Sequence, residues 1–87
     1  MSYTLKILKQ PQKYIARLPK QEREEIDEDI QGLGVDPYPI GCKPLKGEFA
    51  GYLRVDFHHK IRVIYSVDEK GLVVVVATIR PRGDVYK

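Results

Sequence analysis

The last ten residues, Thr78-Ile-Arg-Pro-Arg-Gly-Asp-Val-Tyr-Lys87, follow directly on a run of valines and carry Arg80, Arg82, Tyr86 and Lys87. Arginine can grip two phosphate oxygens at once through parallel N–H groups, so cationic and phenolic side chains emerging beyond a strand suit a phosphate-handling site. Arg62 joins them from an unusual place, inside the apolar run Ile61-Arg-Val-Ile64. Arginine is rarely buried without a partner, and the alternative to a phosphate contact is an internal ion pair with Asp56. Arg54, Lys43 and Lys46 place further cations where they could hold a polyanionic backbone. For the tail, the competing reading is a charged chain end that is simply solvated, and spacing alone favours that reading slightly.

These side chains need a platform, and the patterning supplies one. Leu72 to Ile79 is almost continuously apolar and β-branched, which reads as a central strand covered on both faces. Pro81 cannot donate to a ladder and pushes Arg80 toward extended geometry, so pairing should stop about there, and Gly83 lets the chain turn. Leu53, Val55 and Phe57 alternate with Arg54, Asp56 and His58, a strand with one apolar and one polar side. From Lys60 to Val67 the pattern repeats, with Ile61, Val63, Tyr65 and Val67 on one side and Arg62, Ile64 and Ser66 on the other. His58-His59 is a short hairpin connection whose residues read as solvent-exposed, and Asp68-Glu-Lys-Gly71 makes the next turn. If these strands pair consecutively, Arg54, Arg62, Arg82 and Tyr86 line one concave surface, with Lys43 and Lys46 at its rim on a loop.

Upstream, Tyr3 to Lys9 alternates like a first strand. Pro11 suits the first turn of a helix, and Tyr14, Ile15 and Leu18 share one face of a helix from Gln12 to Leu18 that Pro19 interrupts. Ile26, Ile30 and Leu33 form the apolar stripe of a second helix, from Lys20 to Leu33, whose other face is strongly acidic. Acidic residues near its start favour the helix dipole, which argues against a catalytic role for them. Gly32 to Gly41 is dense in Gly and Pro and reads as a loop with no phosphate-cradling glycine motif. The order is strand, helix, helix, strand, strand, strand.

Eighty-seven residues with 43% apolar content suit one small domain spanning 1–87 with a single modest core. A lone cysteine, Cys42, excludes an internal disulfide framework and cysteine-cluster metal sites, and fits a reducing, cytoplasmic setting. No apolar stretch is long enough for a signal peptide or a membrane span. Net charge is +3, yet residues 1–42 carry six Lys or Arg against seven Asp or Glu, while residues 43–87 carry nine against five. A basic second half favours a polyanionic partner there.

Taken with this order of elements, Leu45-Lys-Gly47, Gly51-Tyr-Leu-Arg-Val55, Ile61-Arg-Val-Ile-Tyr-Ser-Val67 and Pro81-Arg-Gly-Asp-Val-Tyr86 resemble the RelE toxins of the RelE/ParE superfamily, over nearly the whole chain. The resemblance implies an α+β fold in which a curved, antiparallel-rich sheet packs on a helical hairpin. It also implies the toxin of a type II toxin–antitoxin system: an endoribonuclease that cuts mRNA in the ribosomal A site on the 30S subunit without metal or other cofactor. A cognate RelB-like antitoxin would block it, in a toxin–antitoxin heterotetramer. By the same resemblance, Arg62 and Arg82 would stabilise the scissile phosphate, Tyr86 would orient or stack on a nucleotide, and Lys43, Lys46, Arg54 and Arg80 would hold the RNA.

Attack by a ribose 2′-hydroxyl would make RNA and not DNA the substrate. Phenol and guanidinium, with ordinary pKa values of roughly 10 and above 12, are poor bases at neutral pH, so the base is unassigned. Many family members have Gly-Asp-Tyr before the strand arginine where this chain has His59-Lys60-Ile61, and others a tail histidine where it has Pro81. His58 and His59 could supply a base only if their turn folds toward the tail. The rival readings are a ParE-like gyrase inhibitor, against which Arg82 and Tyr86 argue, a non-catalytic RNA- or antitoxin-binding module, and a structural domain with all its arginines in ion pairs.

Overall fold

The computed structural model describes residues 2–82. Its elements run β1 (Thr4–Ile7), α1 (Lys9–Ala16), α2 (Lys20–Val35), β2 (Lys43–Pro44), a single 3₁₀ turn (Gly47–Phe49), β3 (Leu53–Phe57), β4 (Ile61–Asp68) and β5 (Val73–Pro81). The five strands form one sheet in the order β1-β5-β4-β3-β2. β1 runs parallel to β5, and every other pair is antiparallel. The two-residue β2 is an addition to the expected order, and it places Lys43 on the sheet edge rather than on a loop. Two residues are too few to display alternation in a sequence.

Both helices lie on one side of the sheet. Ile15 of α1 and Ile26, Ile30 and Leu33 of α2 pack against Val55, Val63, Tyr65, Val74, Val76 and Ile79. Each such side chain removed fully from water contributes about 1.5–3 kcal/mol, so this layer dominates the stability of the fold. β5 is therefore not covered on both faces, as its valine run suggested. Val74, Val76 and Ile79 are buried, whereas Val73, Val75, Ala77 and Thr78 are half-buried and face away from the helices. A continuous apolar run matches a two-sided strand and a one-sided strand equally well, and only the placement of the helices separates them.

The helices also differ in extent from their patterning. α1 starts three residues earlier than expected, at Lys9, with Pro11 in its first turn, where a missing N–H loses nothing. α2 continues through Gly32 and Gly34 to Val35. Gly34 lies where α2 meets β1: its carbonyl accepts from the Tyr3 N–H at 2.6 Å, and a Cβ there would sit 3.3 Å from the Tyr3 carbonyl oxygen and from Leu5. The loop that follows is clasped to the sheet by phenols. Tyr65, fully buried, donates to the Pro37 carbonyl at 2.7 Å. Tyr3 donates to the Glu69 carboxylate at 2.6 Å, and Tyr38 donates to its other oxygen. The Tyr38 bond pushes its own phenol up to about 12, and the bonds from Tyr3 and then Tyr38 hold the Glu69 carboxyl below its ordinary range.

Candidate functional site

Strand register builds the site. Arg54 of β3 lies opposite Ile64 of β4, which lies opposite Thr78 of β5; one step along, Asp56, Arg62 and Arg80 form a second row. Lys43 of β2 extends the first row at the edge. Because the neighbouring positions Val55, Val63 and Ile79 point into the core, both rows face the side of the sheet that the helices leave open. Among the described residues this face therefore gathers Lys43, Arg54, Arg62 and Arg80. Lys46, which precedes the 3₁₀ turn, is exposed and belongs to neither row.

Asp56 organises the cations. Arg62 donates to it through two nitrogens, Nε to Oδ1 at 2.8 Å and Nη2 to Oδ2 at 3.2 Å. Arg82 reaches the same carboxylate at 3.3 Å through Nε, and Arg54 through Nη1 at 4.0 Å. The ion pair with Asp56 read as the alternative for Arg62 thus exists, but it is shared: among the described residues the Asp56 carboxylate serves three guanidinium groups. The bonds from Arg62 hold the Asp56 carboxyl below its ordinary value, and the charges of Arg82 and Arg54 add to this against the opposing effect of burial. The Arg62 side chain is only 11% exposed. It is fixed as part of the floor, whereas Arg82, 43% exposed, can reach a ligand in solvent.

Beside the cluster lies a groove of about 460 Å³. Its strand residues are Arg62, Ile64, Ala77, Thr78 and Arg80, and the loop after β2 contributes Glu48, Phe49 and Tyr52. A β-bulge shapes it: Ile64 pairs with Thr78 but Tyr65 with Val76, so Ala77 is an extra residue on β5 and joins Thr78 in the groove. Phe49 and Tyr52 are 52% and 37% exposed. Sequence reasoning passed over both. The signal available was an aromatic pair interleaved with Gly47 and Gly51, whose positive φ of 70° and 96° shape the short turn.

The His58-His59 turn brings one of its two histidines to Arg82. Lys60 N–H closes it by donating to the Phe57 carbonyl at 3.0 Å, and both histidines take positive φ, 55° and 56°. Successive residues of such a turn point opposite ways. His58 bonds Asp29 of α2 through Nε2 at 2.6 Å, on the helix side. His59 accepts at Nδ1 from Nη1 of Arg82 at 3.1 Å, and the Arg82 N–H donates to the Lys60 carbonyl at 2.8 Å. Both histidines are exposed, as expected, yet neither is merely solvated. Tyr86, expected at the site, lies outside the described residues. Among the described residues no group of three His, Cys, Asp or Glu side chains could hold a metal ion, and no helix is long and apolar enough to cross a membrane.

Comparison with protein-family models and with curated proteins gives no match. Solved structures do match. The toxin–antitoxin complex RelBE2 from Mycobacterium tuberculosis superposes with a TM-score of 0.81 at 23% identity, covering 94% of this chain and 100% of that one. The isolated RelE toxin of E. coli gives 0.73 at 20% identity, covering 98% and 92%. At those identities the likeness is one of fold. The archaeal RelE–RelB complex from Pyrococcus horikoshii goes further, with a TM-score of 0.81 and 32% identity over 97% of this chain and 99% of that one. Identity of that order over both full lengths, on a shared fold, places the chain in the RelE family of toxins.

Proposed function

We propose that this chain is the toxin of a type II toxin–antitoxin system and a ribosome-dependent endoribonuclease that cuts mRNA in the A site. The observation that carries the reading is the gathering of Arg54, Arg62 and Arg82 on the single carboxylate of Asp56, beside a groove with exposed aromatic rings. A phosphate entering this cluster meets preorganised donors that are already desolvated on one side, the arrangement that stabilises charge developing in a transition state. In the reaction, a ribose 2′-oxygen attacks the adjacent phosphorus, its proton leaves to a base, and the P–O5′ bond breaks. The products are a 2′,3′-cyclic phosphate and a 5′-hydroxyl, and the added charge of the phosphorane falls to Arg62 and Arg82 rather than to a metal.

Phe49 and Tyr52 give nucleobases a stacking surface, and Lys43, Lys46, Arg54 and Arg80 hold the backbone. Tyr86 orients the nucleotide at the cut. A RelB-like antitoxin, as in the P. horikoshii complex, would silence the chain by setting its own carboxylates against these cations.

One feature favours a second reading, a non-catalytic RNA-binding module: Asp56 already engages the arginines that chemistry would use. Programmed ribosomes separate the two. Wild type is expected to cut within the A-site codon, mapped by primer extension, and Arg62→Ala, Arg82→Ala and Tyr86→Ala to lose roughly 10²–10³-fold in rate. Ribosome binding with intact RNA would leave only the binding module.

A further inference from the structure

We infer that Nδ1 of His59 is the atom that accepts the 2′-hydroxyl proton, a role that rests on the cleavage reading above and completes it. The reaction needs a base, and the groups assigned so far cannot serve. Guanidinium, ammonium and phenol are poor bases at neutral pH. Asp56 is tied to Arg62 and Arg82 by short ion pairs, which lowers its basicity. His58 is turned to the helix side and bonded to Asp29. His59 alone of the two faces the arginine cluster, and imidazole is the side chain matched to proton transfer near pH 7.

The contact with Arg82 also fixes which nitrogen is free to work. Guanidinium is only a donor, so the Nδ1 that lies 3.1 Å from its Nη1 holds a lone pair, and the ring proton sits on Nε2. Without RNA, that lone pair is occupied by Arg82. A phosphate is a stronger acceptor for Arg82 than a neutral imidazole. As Arg82 turns to the phosphate, Nδ1 is uncovered beside the group about to react. The 2′-O–H bond then breaks with its proton passing to Nδ1, the O2′–P bond forms, and the departing 5′-oxygen takes a proton from water. Among the described residues, the charged groups around the ring are Arg82 facing it, Lys60 next in the chain, and Asp56 beyond the Arg82 guanidinium. A positive ring beside Arg82 becomes tolerable once the phosphorane carries an additional negative charge.

The backbone gives independent support. Two consecutive residues at positive φ form a turn for which asparagine and glycine are the ordinary choices, and this chain keeps histidine at both positions. Backbone strain of this kind accumulates at functional sites. It also supplies clean variants, because His59→Asn and His59→Gly suit the turn at least as well as histidine. Asparagine can still accept from Arg82 but cannot take up a proton.

On programmed ribosomes, His59→Asn should bind like wild type and cut at least roughly 10²-fold more slowly. His59→Gly should be equally slow and regain cleavage on adding imidazole, the gain rising with pH as imidazole becomes free base. His58→Asn should cut at the wild-type rate. Cleavage by His59→Asn within about threefold of wild type, or a folded, ribosome-bound His59→Gly that imidazole does not restore, overturns the assignment. A wild-type protein that leaves RNA intact would instead sink the cleavage reading itself.

Discussion

Asp56 is the residue on which the arginine cluster depends, since its carboxylate keeps three guanidinium groups together that would otherwise repel. Asp56→Asn preserves shape and removes the charge. It should destabilise the fold by about 1–3 kcal/mol, the range for losing a hydrogen-bonded charge, measured by denaturant unfolding. The same variant should bind RNA more tightly at low salt, with a steeper salt dependence; unchanged affinity would mean that the three arginines do not meet the RNA. The pH response has a definite sign. The folded carboxyl titrates below its unfolded value, so its contribution is complete above about pH 4 and fades as pH falls through the depressed folded value. Melting temperature should therefore drop on acidification more in wild type than in Asp56→Asn. Sequence alone pairs Arg62 with Asp56, because residues of adjacent alternating strands can be matched across a short hairpin. That Arg82 shares the carboxylate was not legible, since it depends on where the chain goes after Pro81.

At the level of elements, two glycines of α2 should respond in opposite directions to the same substitution. Nothing lies within 4 Å of a Cβ at Gly32, so Gly32→Ala should raise stability by about 0.5–1 kcal/mol through helix propensity alone. Gly34→Ala brings a methyl to 3.3 Å from a backbone oxygen of Tyr3 and should lower the melting temperature despite the better helix former. Equal shifts for both would refute the close approach of α2 to β1. Gln10 is a second test. β1 ends level with Val76, and past that point the Gln10 amide substitutes for a strand, donating to the Ile79 carbonyl and accepting from its N–H, both at 2.8 Å. Gln10→Ala takes this partner from both backbone groups of Ile79 and should cost about 1–3 kcal/mol on thermal or chemical unfolding. Helices and strands were visible in the sequence as periodicities of 3.6 and 2, but side chains acting as backbone, and the extra residue at Ala77, leave no periodic trace.

For the molecule as a whole, charge is segregated by layer as well as along the chain. The acidic run of α2 lies on the helix side, while Lys43, Arg54, Arg62 and Arg80 share the open sheet face. Affinity for unstructured RNA should accordingly fall with salt, and Lys43→Ala and Arg80→Ala should each reduce the slope of log K against log[salt] by about one. A flat salt response would place RNA elsewhere. The sequence by itself determined the order of elements apart from the two-residue β2, and the face on which Arg54, Asp56 and Arg62 lie, because strand alternation is a local property of the backbone. Only the tertiary structure decided that this face is open, and that His59 meets Arg82 across 23 positions of chain. The first depends on both helices choosing the same side of the sheet, and the second on the path of β5 beyond its last ladder partner, neither of which any local pattern encodes.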